Sequence, residues 1–166
     1  MLARTVSPWI ERGYWAFMLR TSSVPVRGLR FIYIAASENR PAADIRAALD
    51  DALARIATAG AGFGELVTSH LRFVAALDAP KAVALVHARG YSSPCPRVEV
   101  DNPQFLACRL IHAATHIRLS RDALAQGVSP DYDRIRTAVH DAQIRFVQRF
   151  PDPDAWIDYI IRAEAV

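Results

Sequence analysis

A predicted helix from Pro103 to about Gln126 constrains the fold of this chain more than any other stretch of it. Pro103 suits the first position of a helix, and Gly127 suits the position just beyond its end. The helix carries two histidines, His112 and His116, among mainly apolar neighbours. A domain that contains this segment must therefore bury most of a long helix while it keeps two imidazoles accessible.

The four-residue spacing of the two histidines is the chemical signal in this helix. Side chains four residues apart lie on the same side of a helix, one turn above the other. Two helical histidines bind a single tetrahedral zinc ion with this spacing. In zinc proteases with the pattern H-E-x-x-H, the glutamate accepts the proton of the metal-bound water. Ala113 stands at that position. The segment therefore predicts His112 and His116 as metal ligands without a catalytic base.

The segment Phe105–His116 resembles the active-site helix of small bacterial zincin-like metallopeptidases, whose core reads hydrophobic-His-Glu-Ala-Thr-His. Thr115 and the flanking apolar residues add to the resemblance, which covers roughly residues 65–152. It implies zinc as the cofactor and a sheet edge that pairs with an extended peptide. Lys81–Arg89 or Arg97–Val100 could offer that edge.

The third zinc ligand is not evident from the motif. In many zincins it is a glutamate on the next helix, and here Arg136 falls at that position. Arginine stays protonated and does not bind a metal. His140, one turn further on the same side, is the best candidate, with Asp141, Asp133 or no third ligand as alternatives. A second interpretation is that the guanidinium of Arg136 replaces the cation in a metal-free groove.

The rest of the chain predicts an α+β fold in a single domain, residues 1–166. An aromatic helix and an apolar segment form residues 1–37, and the core follows in residues 38–166. Leu66–Leu77 and Ala82–Arg89 are expected to pair as antiparallel strands in a small, mainly antiparallel sheet. The histidine helix and a C-terminal backing helix complete the domain. A further strong helix is expected before Gly60, with a stripe of Ile45, Leu49, Leu53 and Ile56.

The remaining histidines and the two cysteines have simpler interpretations. His70 and His87 are expected to be half-buried strand residues. Cys95 and Cys108 have neither zinc-ribbon nor disulfide-framework spacing. Cys108 lies one turn before His112, which could act as its base. A small buried side chain is the favoured interpretation of Cys108.

The composition limits the partners and the compartment. The chain is 52% hydrophobic and 22% charged, which is typical of a folded protein. It has no apolar stretch of the roughly 18 residues that a transmembrane helix needs. Charged residues interrupt the N-terminal segment, so we expect a cytoplasmic protein. The net charge is +3, and because basic residues alternate with acidic ones, no nucleic-acid partner is expected.

Two functions remain. The first is a zincin-like metallopeptidase domain that is inactive as written and binds a peptide or protein segment, with zinc at His112, His116 and His140. The second is a metal-free interaction module that uses the degenerate groove or the aromatic N-terminal helix. An engineered replacement of the motif glutamate would explain Ala113 but not Arg136. The two departures together therefore favour a natural loss of peptidase activity.

Overall fold

The computed structural model describes residues 8–33, 41–60, 62–77, 84–85, 90–94 and 102–164. The boundary expected between residues 37 and 38 lies outside these ranges. The helices are α1 (Pro8–Thr21), α2 (Ala42–Thr58), α3 (Phe63–His70), α4 (Pro103–Ala125), α5 (Tyr132–Val147) and α6 (Pro153–Glu164). The strands are β1 (Ser23–Val26), β2 (Leu29–Tyr33), β3 (Phe73–Leu77), β4 (Ala84–Leu85) and β5 (Gly90–Pro94). The expected α+β class is confirmed.

The sheet has the strand order β1-β2-β3-β5-β4. β1 and β2 form a hairpin whose two turn residues, Arg27 and Gly28, both have positive φ (40° and 87°), as a tight type I′ turn requires. β2 pairs with β3 in parallel, because α2 and α3 cross between them. β3 also pairs with β5 in parallel, and β4 pairs with β5 antiparallel at the edge. The sheet, expected to be mainly antiparallel, thus has antiparallel outer pairings and parallel inner ones.

The two faces of the sheet contact different helices. Leu29 and Phe31 of β2 belong to the main core, which includes side chains of α2, α3, α4 and α5. Ile32, which points to the opposite face, packs with Leu19 of α1 and with Phe73 of β3. The C-terminal end of α1 therefore packs on this face of the sheet. α4 lies centrally and contacts α2, α3 and α5.

Two predicted helices are confirmed in detail. Ile45, Leu49, Leu53 and Ile56 are all buried on one side of α2. Pro103 begins α4, and the side chain of Asn102 caps it by accepting a hydrogen bond from the backbone N–H of Phe105 at 3.2 Å. None of the helices in the described ranges is long and apolar enough to cross a membrane.

The prediction for Leu66–Leu77 was wrong over its first half. The helix α3 extends to His70, so this histidine ends a helix and is not a strand residue. The physical reason is helical periodicity: Phe63 and Val67 are four residues apart, and both are buried. The antiparallel pair with Ala82–Arg89 is also corrected, since β3 pairs in parallel with β2 and β5. Within Ala82–Arg89 the structure describes only β4.

Two further predictions lie outside the described residues. These are the strand expected at Arg97–Val100 and the position of His87. The expected peptide-binding edge is described only at β4, which ends the strand order.

Candidate functional site

A cavity of about 340 Å³ lies between α4 and α5 and contains both histidines of the predicted zinc pair. His112 and His116 are half-buried and line the same space, as their spacing predicts. The cavity is lined by Arg109, His112 and His116 from α4 and by Tyr132, Ile135, Arg136 and Val139 from α5. We call it the histidine cavity.

Local interactions fix the two helices that form this cavity. α4 ends at a turn in which Gly127 has a φ of 72°, a conformation that favours glycine. Asp131 then caps α5, because its Oδ1 accepts hydrogen bonds from two backbone N–H groups at 3.1 Å. Deeper between the helices, Gln143 Nε2 donates to the backbone oxygen of Cys108 at 3.4 Å. The histidines and the opposing α5 side chains therefore lie on two well-anchored helices.

The surroundings of His116 disfavour its protonated form. Burial lowers the pKa of His116 below its ordinary value of 6.5, and the neighbouring positive charge of His112 lowers it further. Its Nδ1 atom is buried and has no hydrogen-bond partner among the described residues. The ring of Tyr132 lies 6.4 Å from the His116 ring, centroid to centroid, at an angle of 33°. A neutral imidazole with an unpartnered nitrogen can bind a metal or take up a proton.

Two arginines give the cavity a positive character. Arg109 lies one turn before His112, and Arg136 faces the pair from α5. Arg136 donates a hydrogen bond to Asp133 at 3.0 Å, and both side chains are mostly exposed (71% and 89%). Carboxylates are missing from the described lining of the cavity. The described lining therefore carries positive charge, which Asp133 partly offsets at Arg136, and it offers no acidic ligand to a divalent cation.

The position of the missing catalytic base does not face this cavity. Ala113 is only 1% exposed and belongs to the main hydrophobic core. It does not contribute to the described lining around His112 and His116. A glutamate at this position would meet apolar side chains, so the loss of the base is consistent with how α4 packs.

The candidates for a third metal ligand are spread over α5. His140 is half-buried but does not line the described histidine cavity, and Asp141 is exposed. Asp133 pairs with Arg136. Across the described ranges, no three His, Cys, Asp or Glu side chains form a group that could hold a metal ion. A catalytic zinc needs three protein ligands, and the described residues supply two together, so a complete zinc site does not fit them. Zinc binding by the pair stays a prediction.

Cys108 is a core residue. Its side chain is fully buried, and burial raises the pKa of the thiol to about 12. A thiol with so high a pKa is not a nucleophile at neutral pH. The favoured interpretation of Cys108 as a small buried side chain is confirmed.

The sequence motif identified the histidines but not their neighbours. Arg109 and Tyr132 were not predicted as site residues, although both line the cavity. Arg109 could have been found, because it lies three residues before His112 on the same side of α4. Tyr132 gives no such signal, since its place depends on how α5 packs against α4.

The chain matches no family model, and neither a curated protein nor a solved structure is significantly similar to it. The resemblance to zincins therefore depends on the residues of α4, and it supports a proposal only.

Proposed function

We propose that this chain is a zincin-like domain without peptidase activity that binds a carboxylate-bearing peptide or protein segment in the histidine cavity. One observation carries the proposal: the cavity joins two histidines and two arginines, with no carboxylate in its described lining. Guanidinium groups match carboxylates in shape and charge, and histidines can add a proton to the interaction.

The chemistry of the cavity fits binding better than hydrolysis. Peptide hydrolysis by a zincin requires a metal-activated water and a positioned base. Ala113 supplies no base and is buried in the core. Arg109 and Arg136 face the space near the histidines, where their charges oppose a divalent cation. An anionic group would instead be attracted by each of these side chains.

N-acetylglutamate is a small probe of the proposed ligand chemistry, and N-acetylglutamine amide, which has neither carboxylate, is its uncharged control. We expect N-acetylglutamate to shift the imidazole NMR signals of His112 and His116. N-acetylglutamine amide at the same concentration should leave them unchanged. If both compounds shift the signals equally, or if neither does, the carboxylate proposal is wrong.

Charge removal tests which arginines take part. Arg136→Gln should weaken N-acetylglutamate binding by roughly two- to fivefold, since exposed charge pairs contribute about 0.5–1 kcal/mol. Arg121→Gln is the matched control, because Arg121 is exposed on α4 and lies outside the described lining. Equal weakening in both variants would mean that only net charge matters.

A zinc-binding domain is the second candidate function. It is favoured by the lowered pKa of His116 and by its unpartnered Nδ1 atom. In this case a ligand from a bound peptide or from elsewhere in the chain would complete the coordination. Stoichiometric zinc in protein purified without a nickel column, lost in His116→Ala, would favour this candidate over the first.

A further inference from the structure

A second cavity, of about 280 Å³, lies where α3, α4 and α5 meet. On α4 it is lined by Thr115 and Arg118, neither of which lines the histidine cavity. The described residues that line it are Gly62, Phe63, Leu66, Thr115, Arg118, Ala142, Arg145 and Arg149. We call it the three-helix cavity.

Two polar atoms at this cavity are buried without a protein partner. Thr115 is 1% exposed, and its Oγ1 has no hydrogen-bond partner among the described residues. A helical threonine commonly satisfies its hydroxyl on a backbone carbonyl one turn earlier, which Thr115 does not do. The Nε atom of Arg118 is also buried and unpartnered. Leaving a buried polar group without a hydrogen bond is unfavourable, so both atoms indicate a ligand that bonds to them.

Three arginines line the same space. Arg118 comes from α4 and Arg145 from α5, while Arg149 lies two residues beyond the end of α5. Within the described part of the chain, none of the three forms an ion pair, and the lining holds no carboxylate. Positive side chains that line one cavity repel each other unless an anion offsets their charges.

The start of α3 adds to the positive potential. Gly62, with a φ of 77°, precedes α3 and lines the cavity together with Phe63. The N-terminal end of a helix carries partial positive charge on its free backbone N–H groups. The one acidic residue of this first turn, Glu65, is exposed and outside the described lining.

We propose that the three-helix cavity binds the phosphate group of a small phosphorylated compound. A phosphate dianion offers several acceptor oxygens, which suits three guanidinium groups and the Thr115 hydroxyl better than the two oxygens of a carboxylate. The volume is just below the range of drug-sized ligand sites, so the cavity is large enough for a phosphate group that carries a small organic substituent. This site is separate from the histidine cavity and does not depend on the function proposed for it.

Calorimetric titration of the full chain with inorganic phosphate and with phenyl phosphate tests this proposal. We expect both compounds to bind in a background of sodium chloride at matched ionic strength. The double variant Arg145→Gln/Arg149→Gln should weaken binding about tenfold or more, as the loss of charge-assisted hydrogen bonds predicts. Its control is Arg46→Gln/Arg72→Gln, which removes the same charge from exposed positions outside the described lining and should leave binding unchanged.

Thr115→Val separates a ligand-binding hydroxyl from a structural one. The substitution keeps the shape and removes the unpartnered Oγ1, so the fold should stay at least as stable while phosphate binding weakens several-fold. Absence of phosphate binding in the unmodified chain would overturn the proposal, and so would equal losses in the two double variants. Binding of a short DNA oligonucleotide through Arg145 and Arg149, without binding of phenyl phosphate, would also overturn it.

Discussion

Ala113 and His116 are three residues apart on α4, yet their surroundings give them different roles. His116 borders a cavity with charged and aromatic neighbours, whereas Ala113 packs in the main core. The motif alone does not distinguish these environments, because spacing predicts which residues share a side but not what covers that side. The histidines could therefore be predicted from the sequence, while the burial of the base position could not.

The titration of His116 tests its surroundings directly. We expect an NMR titration to give a pKa below the ordinary 6.5, because of burial and the charge of His112. His112→Gln should raise this pKa part of the way back. The unfolded chain binds the proton of this histidine more readily than the folded chain does. His116 therefore contributes stability at pH values above its pKa in the unfolded chain. This stability is lost as the pH falls through the pKa of His116 in the folded chain. A pKa at or above 6.5 would contradict the assigned environment.

Ala113→Glu should destabilise the fold and not create a peptidase. A carboxylate at a position that is 1% exposed in an apolar core is expected to cost roughly 2–4 kcal/mol. Chemical denaturation measures this loss, and Ala47→Glu on the exposed side of α2 is the control that should change little. A folded Ala113→Glu variant with chelator-sensitive cleavage would show that position 113 reaches the histidine cavity.

Cys108 should be unreactive in the folded protein. Its thiol is buried with a pKa raised to about 12, so little thiolate exists at neutral pH. In a Cys95→Ser variant, which leaves Cys108 as the only thiol, we expect reaction with a disulfide reagent only after denaturation. Rapid reaction in the native state would argue for an accessible nucleophile.

At the scale of elements, α2 and α4 could be predicted because their signals are local. The stripe of α2 and the proline and glycine that bound α4 lie within a few residues of each other. Leu66–Leu77 was misread because a short apolar run fits a helix or a strand equally well. The parallel pairing of β2 with β3 depends on the crossover through α2 and α3. The antiparallel pair expected for Leu66–Leu77 and Ala82–Arg89 did not include α3.

The docking of α5 depends on its aromatic residues. Phe146 is fully buried, 5.4 Å from the ring of Phe63 and 5.0 Å from that of Phe150, centroid to centroid. Phe146→Ala should lower the free energy of unfolding by about 3–5 kcal/mol. Tyr132→Ala on the same helix is the control, because Tyr132 is 68% exposed and should contribute little to stability. Similar losses in the two variants would contradict this packing.

At the scale of the whole molecule, one core joins the sheet to the helices that carry the site. Side chains from β2, β3, α2, α3, α4 and α5 belong to this core. Apolar packing therefore stabilises the position of α4 in the fold. Both cavities on α4 have arginine-rich linings, although the net charge of the chain is only +3.

Metal removal should consequently leave the fold unchanged. We expect the same Tm before and after treatment with a strong chelator. The measurement is a thermal melt followed by circular dichroism, with zinc added back as the control. A large fall in Tm that zinc reverses would mean that folding is coupled to metal binding.

Binding of a carboxylate by chelator-treated protein distinguishes an anion site from a metal site. The full chain, freed of metal, is titrated with N-acetylglutamate while the NMR signals of His112 and His116 are followed. For an anion site we expect saturable shifts without metal, which strengthen as pH falls and His116 takes up a proton. Shifts that appear only after zinc is restored, or cleavage of peptides by the zinc-loaded chain, would contradict it.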